Sequence, residues 1–222
     1  MRHVILNLHG LGTPPGPLDP GEDRYWVTPG LLESALDLAG HHADRVRVDF
    51  TFDDGNLSDI GIGAPLLEAA GRRATFFVLA DRIGRKHYLG GSHLRTLVAR
   101  GHRIGLHGAA HVDWTTLDDA GLARELATAR GVIAAASGQT VTEAGIPFGR
   151  YNARVLRALR AAGYARAYSS DGGAAGASDW PVPRSSLTRE MDSAAIEAIL
   201  LGREPLRRRL RRRLAMAVKA RV

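Results

Sequence analysis

Apolar and β-branched residues gather along the chain in short runs, at residues 4–8, 46–52, 74–79, 103–106, 140–144 and 165–169. Such runs suit buried strands. Helical periodicity lies between them. Thr28 before Pro29 starts a helix that Gly40 stops, residues 92–100 end at Gly101, and residues 122–136 and 152–162 complete the series, the last between Asn152 as cap and Gly163. Strands alternating with helices predict βαβ units and a parallel α/β fold. A doubly wound sheet and a barrel both satisfy the pattern. Six strands, with a seventh near residues 182–187, would suit an incomplete (β/α) barrel, although periodicity alone does not close the sheet. Two stretches break the pattern, 12–25 and 171–183, each a loop beside a site or a plain surface connection.

The 222 residues suffice for one main domain of barrel size and not for two comfortable enzyme domains. With 45% hydrophobic and 24% charged residues, global disorder is excluded. The absence of cysteine removes disulfides, thiolate zinc sites and cysteine nucleophiles, so any metal falls to His, Asp or Glu. Residues 4–8 are too short an apolar run for a signal peptide or a membrane span, which leaves a cytoplasmic expectation. The net charge of +7 is misleading as an average, because residues 203–222 hold nine Arg or Lys against one Glu. The preceding 202 residues are near neutrality, so the inference from basicity applies to the tail alone.

The run 46–52 delivers Asp53, Asp54 and Gly55 to its C-terminal end, where α/β folds place their sites. Adjacent carboxylates repel, and a cation held by one while the other stays free as a base would stabilise them; Asp-Asp-Gly is also ordinary turn chemistry. The run 103–106 leads into His107 and His111, two imidazoles four apart that can address one ion from a helical turn or a compact loop. No Glu follows His107, so this is not the HExxH pattern. Together Asp54, His107 and His111 would form a one-carboxylate, two-His set with open positions, a catalytic metal geometry.

TFDDG at 51–55, ATFFVL at 74–79, the His-x-x-x-His after a strand and PFGRYN at 147–152 follow one another as in the polysaccharide deacetylase (NodB-like, carbohydrate esterase family 4-type) family, which the chain resembles over roughly residues 1–190. The resemblance implies a distorted, incomplete (β/α) barrel and removal of N-acetyl groups from a saccharide. It makes Asp53 the general base and Asp54, His107 and His111 the ligands of a divalent metal, zinc for preference. The ion acidifies a water and polarises the acetyl carbonyl, and the backbone at Phe148, beside Pro147, takes the oxyanion. Departures stand beside the match. Gly145 occupies the place where many members have an Arg that orients the base, with Arg150 a nearby substitute. No His follows His111, so the family's C-terminal acid is missing. His9, at the end of the first strand, resembles the acid of a branch exemplified by secreted poly-N-acetylglucosamine deacetylases, in which the motif order looks permuted. Asp179 and Trp180 resemble the end of another family motif and would place Trp180 against the sugar, although Gly176 stands where its first Asp belongs.

The chain divides into a catalytic domain at 1–202 and a basic tail at 203–222, where Leu206, Leu210, Leu214 and Val218 recur every four residues among Arg207 to Arg209 and Arg211 to Arg213. As an amphipathic cationic helix this tail could touch an anionic membrane, which would suit a lipid-linked saccharide; a terminal barrel helix and a disordered tail are the plain readings. Nucleic acid is not an expected partner, since aromatic interleaving is missing. Competing functions are a deformylase or other amide hydrolase acting on a lipid-linked amino sugar, and a non-catalytic saccharide-binding relative.

Overall fold

The computed structural model describes residues 1–16, 18 and 21–221. Strand β1 (Arg2–Leu8) runs into the short β2 (Gly10–Leu11), which pairs with β3 (Trp26–Val27) across the 12–25 segment. Helix α1 (Pro29–His41) follows, its first turn capped by the Thr28 hydroxyl, which accepts from the Leu31 N–H. Then come β4 (Val46–Phe52), α2 (Ala64–Ala69), β5 (Ala74–Val78), α3 (Gly91–Ala99) and β6 (Arg103–Leu106). Helices α4 (Asp119–Ala123) and α5 (Ala129–Ser137) are joined by a π-helical turn, so the helix expected at 122–136 is in fact continuous from 119. The second half adds β7 (Glu143–Gly145), α6 (Ala153–Ala161), β8 (Arg166–Ser169), β9 (Val182–Pro183), β10 (Ser185–Ser186), α7 (Ser193–Leu201) and α8 (Leu206–Lys219).

All the main-sheet strands are parallel, in the order β10-β1-β4-β5-β6-β7-β8-β9. Only Arg184 separates β9 from β10, and its N–H donates to Ser169 while its carbonyl accepts from Gly172. The segment 182–186 is therefore one stave, hydrogen-bonded to β8 by its first half and to β1 by its second, and it closes the sheet into the expected incomplete (β/α) barrel. The strand expected at 140–144 is narrower, Glu143–Gly145, because the segment before it turns to let the Gln139 side chain accept from the Ile104 N–H.

Strand side chains alternate faces. Outward residues such as Val4, Leu6, Phe50, Phe52, Phe76, Ile104 and Leu106 pack under the helices in the main core. Inward residues Ile5, Phe77, Tyr168 and Val182 form a second apolar layer that floors the barrel interior. One step further along the same inward rows come Asn7 and His9, Thr51 and Asp53, His107, Gly145 and Arg184. The site sits on that floor.

Candidate metal centre and its paired carboxylate

Asp53 and Asp54 are both buried, yet they are held in opposite ways. Asp53 continues the register of β4, its N–H donating to Leu8, and its side chain points into the barrel. There Arg184 donates from Nη1 to Asp53 Oδ1 at 2.7 Å and from Nη2 to Oδ2 at 2.9 Å, a bidentate grip. Asn7 Nδ2 donates to Oδ2 at 2.9 Å. Asn7 is oriented in turn, its Oδ1 accepting from Thr51 at 2.6 Å and from Arg184 at 2.9 Å. Burial pushes the Asp53 carboxyl up, but Arg184, His107 and His9 outweigh it and hold the group well below the usual carboxylate range.

Asp54 leaves the strand with φ of 76° and Gly55 follows at 71°, two left-handed residues that swing the Asp54 carboxylate across the barrel mouth. A side chain at 55 would also be crowded, since its Cβ would stand 3.0 Å from Val78 Cγ1. Asp54 Oδ1 faces His107 Nε2 at 3.7 Å and His111 Nε2 at 3.5 Å, with Arg82 at 3.8 Å. That oxygen is buried and lacks a hydrogen-bond partner. Burial, above all, pushes the Asp54 carboxyl up to about 6.

The two imidazoles lie on a compact loop rather than a helical turn. Glu125, buried in the π turn, gathers the loop by accepting from the Ala109 and Ala110 N–H groups and from Trp114 Nε1. Gly108 (φ of 96°) is required there, because a Cβ would stand 2.3 Å from Glu125 Oε2. His107 Nδ1 lies 2.9 Å from the Gly145 carbonyl, which can only accept, so Nδ1 carries the proton and Nε2 presents its lone pair to the site. Burial pushes His107 down to about 3, which keeps it neutral as a ligand must be.

Among the described residues, Asp54, His107 and His111 offer one ligand atom each, all within 4.8 Å of one another. The unpartnered oxygen, the neutral imidazole and the borderline N/O donor set fit a divalent cation of the zinc type. Cation and proton compete for Asp54. Affinity is therefore expected to fall at least tenfold per pH unit below about pH 6, His107 adding nothing until pH nears 3. A chromophoric-chelator competition series would measure this; an affinity that stays constant well below pH 6 would contradict it.

His9 Nε2 stands 3.9 Å from Asp53 Oδ2, its ring 4.7 Å from that of Tyr25. Phe148, exposed and with a left-handed φ of 56°, leans its ring on His111 at 4.4 Å, and its neighbour Pro147 is buried. Two expected residues are placed elsewhere. Arg150 turns to Asp113 at 3.1 Å and lies over the Phe148 ring, so it does not reach Asp53. Trp180 precedes β9 and packs under Arg160 near the C-terminus of α6, at the end of the barrel opposite Asp53 and His107.

Arg184 and Asn7 are the residues that sequence reasoning passed over. Arg184 fills the space an Arg at 145 would have used: a Cβ there would meet Phe77 at 3.0 Å and His107 Nδ1 at 3.3 Å, and the Arg184 guanidinium lies 5.1 Å over the Phe77 ring. A signal existed. Both are polar residues on the inward rows of their predicted strands, Asn7 two before His9 and Arg184 two after Val182.

Residues 41–167, more than half of the chain, match the family model described as polysaccharide deacetylase. The chain is 30% identical over 125 residues to YxkH of Bacillus subtilis (strain 168), covering 56% of this chain and 45% of that protein. It is 32% identical over 114 residues to a chitin deacetylase of Pestalotiopsis sp, covering 51% of this chain and 38% of that one. The chain thus spans less than half the length of either relative. Its fold superposes on Streptococcus pyogenes deacetylase PplD, solved with acetate, with a TM-score of 0.76 at 18% identity, covering 92% of this chain and 99% of that one.

Proposed function

The chain belongs to the polysaccharide deacetylase family, and from that premise and its barrel-mouth geometry we propose that it hydrolyses the N-acetyl amide of a saccharide. Asp54, His107 and His111 would hold a divalent cation, zinc for preference. The observation that carries the reading is the division of labour between adjacent carboxylates. Asp53 has its charge neutralised and aimed by Arg184, whereas Asp54 keeps a buried oxygen open toward two imidazoles.

When bound, the cation supplies Lewis acidity toward the acetyl carbonyl and makes an adjacent water more acidic. Asp53, kept anionic by Arg184, accepts the proton of the attacking water. Asn7 and Arg184 occupy part of its lone-pair capacity and leave the mouth-facing direction for that proton. The Phe148 N–H, in the loop turned by its left-handed conformation, would donate to the developing oxyanion. His9, on the Asp53 side of the mouth, would protonate the departing amine, and the exposed Phe148 ring would border the sugar. A non-catalytic reading rests on the missing Arg at 145 and the missing C-terminal His; the grip of Arg184 on Asp53 supports the enzyme on the first count, and His9 would answer the second. A lipid-linked substrate or a formyl group would use the same residues, and profiling acyl groups and carriers separates these cases.

The test is acetate release from N-acetylglucosamine oligomers, with His9→Gln compared on two substrates. The variant is expected to lose about 10² to 10⁴-fold on the amide and far less on an aryl acetate, whose leaving group needs no proton. Equal losses on both would remove His9 from the acid role. No acetate from any N-acetylated saccharide, with cation bound, would sink the deacetylase reading.

A further inference from the structure

Helix α8 is fastened to the body by one face. Arg212 pairs with Glu204 at 2.6 Å and lies against Gly173, where a Cβ would stand 2.5 Å from its guanidinium. Lys219 pairs with Asp171 at 2.7 Å and lies 5.1 Å over the Tyr151 ring, and Ala220 packs on the core. At about 100° per residue, Leu206, Leu210, Leu214 and Val218 must then point away from the body. They do, at 67%, 58%, 67% and 52% exposure. A helix docked on its own protein ordinarily turns its apolar stripe inward. Here it is turned out.

The same helical geometry sets exposed Arg207 and Arg211 along one border of the stripe and exposed Arg213 along the other, with Arg221 beyond the end. The single acidic residue of the segment, Glu204, is engaged by Arg212. Positive charge is therefore concentrated where the apolar stripe emerges, on a chain whose remainder is near neutral. An occupant of this face must offer hydrocarbon and negative charge together. Nucleic acid offers charge without hydrocarbon, and a second copy would bring its own arginines against these. The surface of an anionic bilayer offers both. At 14 residues α8 is well short of the roughly 20 that span a bilayer, and no described helix is long and apolar enough to cross one.

We propose that α8 is an in-plane anchor that seats the protein on anionic lipid through Leu206, Leu210, Leu214 and Val218, with the flanking arginines on the headgroups. The inference is independent of the deacetylase reading, because binding requires no turnover. It also ties the anchor to the site, since Lys219 and Asp171 hold Tyr151, the residue after the Pro147 to Arg150 loop.

The full chain would be sedimented with phosphatidylcholine vesicles, with and without phosphatidylglycerol. Binding is expected only with the anionic lipid and is expected to weaken with salt. The Leu210→Ala/Leu214→Ala variant should lower the partition coefficient by about a hundredfold, and each of Arg207→Ala and Arg211→Ala by about fivefold. These exposed positions lie outside the site, so acetate release from a soluble oligomer should stay unchanged. Equal binding to neutral vesicles, binding indifferent to the leucine pair, tight duplex DNA binding equally indifferent to it, or a dimer that the leucine variant abolishes would each overturn the proposal.

Discussion

Arg184→Met is expected to cost about 3 to 5 kcal/mol of stability and to lower deacetylation by about 10² to 10⁴-fold. The residue is fully buried and donates to Asp53, Asn7, Thr51 and the Ser169 carbonyl. Methionine can pack over Phe77 and Tyr168 but leaves the Asp53 carboxylate buried without a countercharge. The pH dependence gives the sign. In the wild type the folded-state Asp53 carboxyl lies below its unfolded value, so its contribution is full above about pH 4 and is lost as pH falls through the folded value. Without Arg184, burial raises the carboxyl above its unfolded value, and that stability is present in acid and lost as pH rises. The gap between wild type and variant in urea denaturation should therefore narrow on acidification. Arg184→Lys should recover part of the stability, by restoring charge, and little of the rate, because the two-pronged grip is lost. A variant as stable and active as the wild type would remove Arg184 from the base.

Asp53→Asn is the second large effect, a loss of about 10² to 10⁴-fold in acetate release with cation stoichiometry preserved. The substitution keeps the shape and one acceptor for Arg184 while removing proton affinity. Asp53 is absent from the cluster of Asp54, His107 and His111, so the cation should remain. Circular dichroism and metal analysis on the same preparation separate the outcomes. An active Asp53→Asn enzyme would overturn the base assignment, and a metal-free one would make Asp53 a ligand.

The strands and their alternation with helices were legible because β5 is buried on both faces and the outward residues of β4 and β6 are all buried, which concentrates apolar side chains in short runs. Helix starts at Thr28 and Asn152 were legible for the same local reason, a side-chain oxygen three residues before the N–H it caps. The candidate ligands could be named because Asp54 and His107 follow directly on the ends of β4 and β6, with His111 four residues beyond His107. Arg184 could not be paired with Asp53 by local reasoning: the two are 131 residues apart, and their contact exists only because the 182–186 stave closes the barrel. Trp180 was misplaced by the complementary reason, a motif likeness that ignored which end of β9 it precedes. Helix α2 was hidden behind a glycine-containing π turn, Asp59–Gly63, that breaks the 3.6-residue pattern.

The central claim is that Asp54, His107 and His111 hold a divalent cation without which the saccharide amide is not hydrolysed. The most direct measurement is metal content together with acetate release from N-acetylated saccharides, for the wild type and His107→Ala. One cation per chain and acetate release in the wild type, both lost in the variant, is the predicted result. Acetate released equally by a metal-free chain or by His107→Ala would contradict it.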